Sequence, residues 1–143
     1  MSGIAWLALL IRLVIGAQLS YSGWAKATAF EWWRDLVVQM DIFPFEITGV
    51  LAGALPGIEL VLGITLILGL FQRASAILAS VLFLGFMGMM IHLVLKDAPT
   101  MCGCFGPGSE YPVDWNHVVL DGAWALCAIA LVFMSSYRFS LSR

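Results

Sequence analysis

Of the 143 residues, 62% are hydrophobic and 11% charged, against roughly 45–50% and about 25% in a soluble domain. A chain this short cannot hide such an excess in a core, so water is excluded as its main solvent, and so is disorder. The formal net charge of −2 and the seven scattered lysines and arginines leave no basic footprint for nucleic acid. The composition is that of an integral membrane protein.

Crossing the hydrocarbon takes about 20 apolar residues in a helix. Four stretches qualify, 4–24, 47–71, 74–95 and 118–137, and none shows the alternation of a barrel strand. The expected fold is all-α, a four-transmembrane-helix bundle forming one domain over 1–143. It has loops near 25–46 and 96–117 and a tight turn at Gln72-Arg73.

In chain order, the first span contains Arg12. Ala27 and Ala29 mimic a signal-peptide cleavage site, but the run has no positive n-region and is longer than an h-region, so it reads as a span. The first loop opens with Thr28-Ala29-Phe30-Glu31, the pattern of a capping box. Phe30, Trp33, Val37 and Met40 then recur at helical spacing until Pro44. This predicts a short amphipathic helix over about 29–40 lying in the interface, with Trp32 and Trp33 at headgroup depth.

In the second span Gly49, Gly53 and Gly57 share one face, where small residues let membrane helices approach closely. Packing within the chain is the simpler expectation; a docking seam for a larger membrane complex is the other. Pro56 is expected to kink this helix.

The third loop, 97–116, carries Met101-Cys102-Gly103-Cys104-Phe105-Gly106. A disulfide needs Cα atoms about 4.4–6.8 Å apart, and residues i and i+2 reach that range only where the backbone bends, which Gly103 permits. Such a small ring closes almost no loop and adds little as a staple. Strained, exposed disulfides are the labile or catalytic ones, so exchange chemistry is the better account of an oxidised pair. Cys127, midway along the fourth span, reads as a buried, poorly ionised thiol. A relay to the loop pair would have to cover about 15 Å of helix rise.

Arg12 followed by Gly16, Ser22-Gly23 and Lys26, and Pro56 and Glu59 followed by Gly63, resemble the first two spans of DoxX-like proteins. Cys102-Gly103-Cys104-Phe105-Gly106 is similar to the cysteine motif of the methylamine-utilisation MauE family. The resemblance implies a redox-associated four-helix membrane protein working with a thioredoxin-like partner outside the cytoplasm. Some DoxX-like relatives are linked to quinone-reducing enzymes, which makes quinone a candidate electron carrier.

A charge within a span costs about 2.5–3.5 kcal/mol even on the lenient scale, so Arg12, Glu59 and Asp121 should face inward, paired or protonated. An Arg12–Glu59 pair is expected, as a clasp or a proton path. Asp121 follows His117 by four residues on one helix face, and His92 nears the same end. Histidine's charge changes near neutral pH, so His117 and Asp121 are candidates to move protons for Cys102 and Cys104. Interfacial histidines bonded to loop carbonyls are the plainer reading, equally so for His117 and more so for His92.

Two other classes remain open. Cys102, Cys104, His92 and His117 would make a zinc site, and Met87, Met89, Met90 and Met101 add soft sulfur suited to copper. A non-catalytic accessory subunit needs no site at all. Lys26, Arg34 and Lys96 stand on one side against Arg73, Arg138 and Arg143 on the other. The second set lies in a tight turn and a short tail free of acids, which favours cytoplasmic termini and an extracytoplasmic cysteine loop in a bacterial-type inner membrane.

Overall fold

The computed structural model describes residues 3–97, 101, 103, 107 and 111–134. Five helices follow one another: α1 (Gly3–Thr28), α2 (Phe30–Met40), α3 (Phe45–Leu68), α4 (Gln72–Leu95) and α5 (Trp115–Phe133). All but α2 are long and apolar enough to cross a membrane. The 24 residues of α3 span about 36 Å at 1.5 Å per residue, more than the hydrocarbon thickness of about 30 Å. Among the described residues there is no strand, only an isolated bridge between Met101 and Pro112. Trp6, Leu10, Val50, Val61, Leu78, Val81, Val119 and Leu126 point outward. An apolar exterior on this scale is stable only against lipid, so the chain is a multi-pass membrane protein.

The helices pack as two tight pairs, α1 with α3 and α4 with α5. In the first pair the backbones themselves touch. A Cβ on Gly16 would lie 2.8 Å from the Gly63 carbonyl oxygen, and one on Gly23 would lie 2.6 Å from that of Pro56. This corrects the expectation for the glycines of the second span. Among the described residues, nothing lies within 4 Å of where a Cβ on Gly49, Gly53 or Gly57 would stand. The face of α3 that meets α1 instead carries Pro56, Glu59 and Gly63, about 100° around the helix from that stripe.

The same contacts set the register. With Gly16 beside Gly63 and Gly23 beside Pro56, α1 runs out before it reaches the first two turns of α3. The short helix α2 folds back to cover them. Trp33, Val37 and Met40 face inward, and Glu31, Arg34 and Asp35 form an exposed ionic cluster. Trp33 is 1% exposed and donates its indole Nε1–H to the Ala52 carbonyl at 3.0 Å, so it is a core residue and not a headgroup anchor. Proline has no N–H to give the carbonyl four residues back. Pro56 therefore leaves Ala52 without its helical donor, and Trp33 supplies one.

Two local expectations are also corrected. The capping box at Thr28 does not form, because α1 continues through Thr28. Its hydroxyl turns back to the Trp24 and Ala25 carbonyls at 2.9 and 3.1 Å, and Ala29 begins α2 without a side-chain cap. The turn between the second and third spans is 69–71, not Gln72-Arg73. Gly69 takes φ 73°, with Gly69 N–H bonded to Leu66 and Leu70 N–H bonded to Thr65, a Schellman ending. Gln72 belongs to α4 and is buried.

Candidate functional site

The innermost polar feature is an ion pair. Lys26 Nζ lies 2.7 Å from Glu59 Oε1, with the side chains 3% and 0% exposed. The second carboxylate oxygen, Oε2, accepts from Ser22 Oγ at 3.2 Å. The ammonium also stands 4.5 Å from the ring centroid of Trp33 and 5.0 Å from that of Phe86, within cation–π range. A buried pair of charges persists only when geometry is good and the remaining donors and acceptors are met, and these contacts meet both carboxylate oxygens.

Glu59 is thus paired with Lys26 and not with Arg12. The reason is register. Arg12 lies about four turns before Lys26, about 21 Å along α1 at the helical rise. That places it at the opposite end of the bundle, where it donates to Gln72 Oε1 at 3.5 Å. Lys26, counted by its position as a loop cation, is in fact buried in the last turn of α1.

Beside the pair is a cavity of about 30 Å³, lined by Gln18, Ser22, Lys26 and Glu59 together with Asp121 from α5 and the rings of Trp33, Phe83 and Phe86. Asp121 is 9% exposed. Among the described residues its Oδ2 has no hydrogen-bond partner, and neither has Gln18 Oε1.

One turn outward, His117 is bonded at the start of its own helix. Its Nδ1 lies 2.8 Å from Asp114 Oδ1, and its backbone N–H donates to the same oxygen at 3.2 Å. Asp114 and His117 form a capping box at the start of α5. Hydrogen bonds from His117, its side chain foremost, and from Asn116 hold the exposed Asp114 carboxyl below the usual carboxylate range. The cap was legible as an acid three residues before a helix-borne histidine. Pairing His117 with Asp121 by face alone missed it. His92 is half-buried in the last turn of α4. Cys127 is a half-buried free thiol packed against the main apolar cluster, about 9 Å of rise deeper than Asp121.

Cys102, Cys104 and Phe105 lie outside the described residues. Gly103, between the cysteines, is described: it is buried and takes φ +66°, in the left-handed region that favours glycine. A Cβ there would collide with Leu36 Cδ2 and lie 3.6 Å from Trp32 Cη2. Gly103 therefore touches α2, whose inner face carries Trp33 over Lys26. From the loop inward the order is Gly103, α2, and the charge cluster.

Among the described residues no group of three or more His, Cys, Asp or Glu side chains is placed to hold a metal. The polar cavity has room for about one water, and the larger groove between α3 and α4, about 630 Å³, is lined by Gly53, Gly57, Ile58, Val61, Leu78 and Val81, which offer no side-chain donor.

These features define a helical membrane protein with a buried charge cluster beneath a cysteine-bearing loop. A family model, methylamine utilisation protein MauE, matches residues 4–134, and the chain belongs to that family. No curated protein matches the chain, and no solved structure does. Of the short sequence signatures in the first two spans, Gly16, Ser22, Gly23 and Lys26 meet Pro56, Glu59 and Gly63 along the α1–α3 seam, whereas Arg12 reaches Gln72 of α4.

Proposed function

We propose that this chain, acting as one four-helix membrane domain, is a membrane thiol–disulfide redox protein. Cys102 and Cys104 cycle between dithiol and disulfide and exchange electrons with a thioredoxin-like partner on the extracytoplasmic side of a bacterial-type inner membrane. The observation that carries the reading is Gly103. A left-handed residue between two cysteines supplies a bend of the kind an i, i+2 disulfide needs, and Gly103 itself is seated on α2. Membership of the MauE family supports a redox-associated role.

In the exchange, a thiolate of the reduced pair attacks a sulfur of the partner's disulfide and expels one partner thiolate. The second cysteine then attacks the mixed disulfide. Two electrons and two protons leave Cys102 and Cys104, and the partner becomes a dithiol; the reverse direction uses the same steps. His117 and Asp121, at the loop end of α5, serve as proton carriers. Burial of Lys26 leaves Arg34 and Lys96 on the loop side against Arg73, Arg138 and Arg143 on the other, which supports an outward-facing loop.

Cys102→Ser and Cys104→Ser should each abolish exchange with a thioredoxin-like substrate, whereas Cys127→Ser should leave it within about twofold, since a half-buried thiol packed against the apolar cluster of the spans is out of reach of a partner's disulfide. Full exchange in either loop variant would overturn the proposal. A second reading, an accessory subunit docked through Gly49, Gly53 and Gly57, is favoured by the openness of that face. It would be upheld by co-purification with a large complex whose activity survives loss of both loop cysteines.

A further inference from the structure

We infer that the cavity beside Lys26 is a proton-loading site, in which one bound water joins Asp121, Gln18 and the Lys26–Glu59 pair and the Asp121 carboxylate takes up and returns one proton. The inference starts from charge. Glu59 and Asp121 bring two carboxylates to one ammonium, and Lys26 is already committed to Glu59 at 2.7 Å. An ionised Asp121, 9% exposed with Oδ2 unpartnered, would then be an uncompensated buried charge, which is far costlier than a neutral acid. A proton on Asp121 removes the excess charge and turns an acceptor into a donor.

The cavity's size and lining fit the water. Its volume of about 30 Å³ exceeds the roughly 10–15 Å³ that one water needs, and a buried water requires two to four polar partners. Asp121 Oδ2 and Gln18 Oε1, both without partners among the described residues, accept its hydrogens when Asp121 is ionised, and the Lys26 ammonium lines the same space.

The groups around Asp121 are few. From α1 it faces Lys26, from α3 Glu59, from α2 and α4 only the rings of Trp33, Phe83 and Phe86 with Met89 and Met90. On its own helix His117 stands one turn outward, at the exposed start of α5. The proton enters from water at that end, and carboxylate plus proton gives carboxylic acid with nothing left over. The use of this proton, as a partner to the two released when Cys102 and Cys104 are oxidised, rests on the thiol–disulfide reading. The site itself does not.

The test is infrared difference spectroscopy of the full chain in lipid nanodiscs, low against high pH, with carbon-13 in either aspartate or glutamate. A protonated-carboxyl band from a non-aqueous environment is expected, shifted by labelled aspartate, lost in Asp121→Asn, and transferred to the glutamate label in Asp121→Glu. It should persist when both loop cysteines are replaced by serine, so failure of the thiol chemistry and failure of this site give different results. A band that follows labelled glutamate in the unmodified protein would put the proton on Glu59 and overturn the inference. So would a spectrum unchanged by Asp121→Asn or by Asp121→Glu.

Discussion

The indole nitrogen of Trp33 lies 3.0 Å from the carbonyl oxygen of Ala52, the acceptor that Pro56 leaves without a donor. One hydrogen bond thus joins a helix-breaking residue in a membrane span to the placement of a short helix outside the usual count of four. Trp33→Phe should destabilise the fold by about 1–3 kcal/mol, the cost of an unmet buried acceptor, plus a smaller packing loss. In a Pro56→Ala background the helix supplies its own N–H to Ala52, and the same Trp33→Phe change should then cost markedly less. Thermal unfolding of the four proteins of this double-mutant cycle, followed by circular dichroism in detergent, measures the difference.

The Lys26–Glu59 pair predicts a second asymmetry. Removing one partner, by Lys26→Met or Glu59→Gln, leaves the other buried and should cost about 3–5 kcal/mol. Replacing both, by Lys26→Met with Glu59→Leu, should recover most of that stability. Arg12→Met, which acts at the far end of the bundle, should add independently to either single change. Denaturant midpoints of the purified variants decide this, and equal losses in the single and double variants would contradict the pairing.

At the start of α5, Asp114 gives a pH dependence with a definite sign. Its carboxyl is held below the usual aspartate range by bonds from His117 and Asn116. A group whose folded pKa is depressed stabilises the fold above its unfolded pKa and loses that contribution as pH falls through the folded value. The destabilisation caused by Asp114→Ala should therefore be full at neutral pH, shrink below the ordinary aspartate range, and vanish once Asp114 is protonated in both states. Unfolding midpoints of the two proteins across that acidic range test it.

The four long helices were legible from apolar run length alone, because lipid demands that each crossing satisfy its own backbone. The partner of Glu59 was not. It depends on how α1 slides along α3, and that is set by backbone contacts at Gly16, Gly23 and Gly63, whereas the more regular stripe at Gly49, Gly53 and Gly57 meets no helix closely among the described residues. Trp33 reads as an interfacial anchor from sequence because its indole partner is a carbonyl nineteen residues along the chain, freed by Pro56. Thr28 matched a capping pattern, but a cap needs the preceding helix to have ended, and α1 had not. Asp114 and His117 stand at the i, i+3 spacing of a helix-start cap, which competes with the i, i+4 spacing of His117 and Asp121.

The account turns on Cys102 and Cys104 forming an outward-facing, labile disulfide. The most direct measurement is labelling of intact cells with a membrane-impermeant thiol reagent, before and after mild reduction, in a Cys127→Ser background. Labelling of both loop cysteines only after reduction is the predicted result. Cysteines that stay unlabelled in both conditions would contradict it.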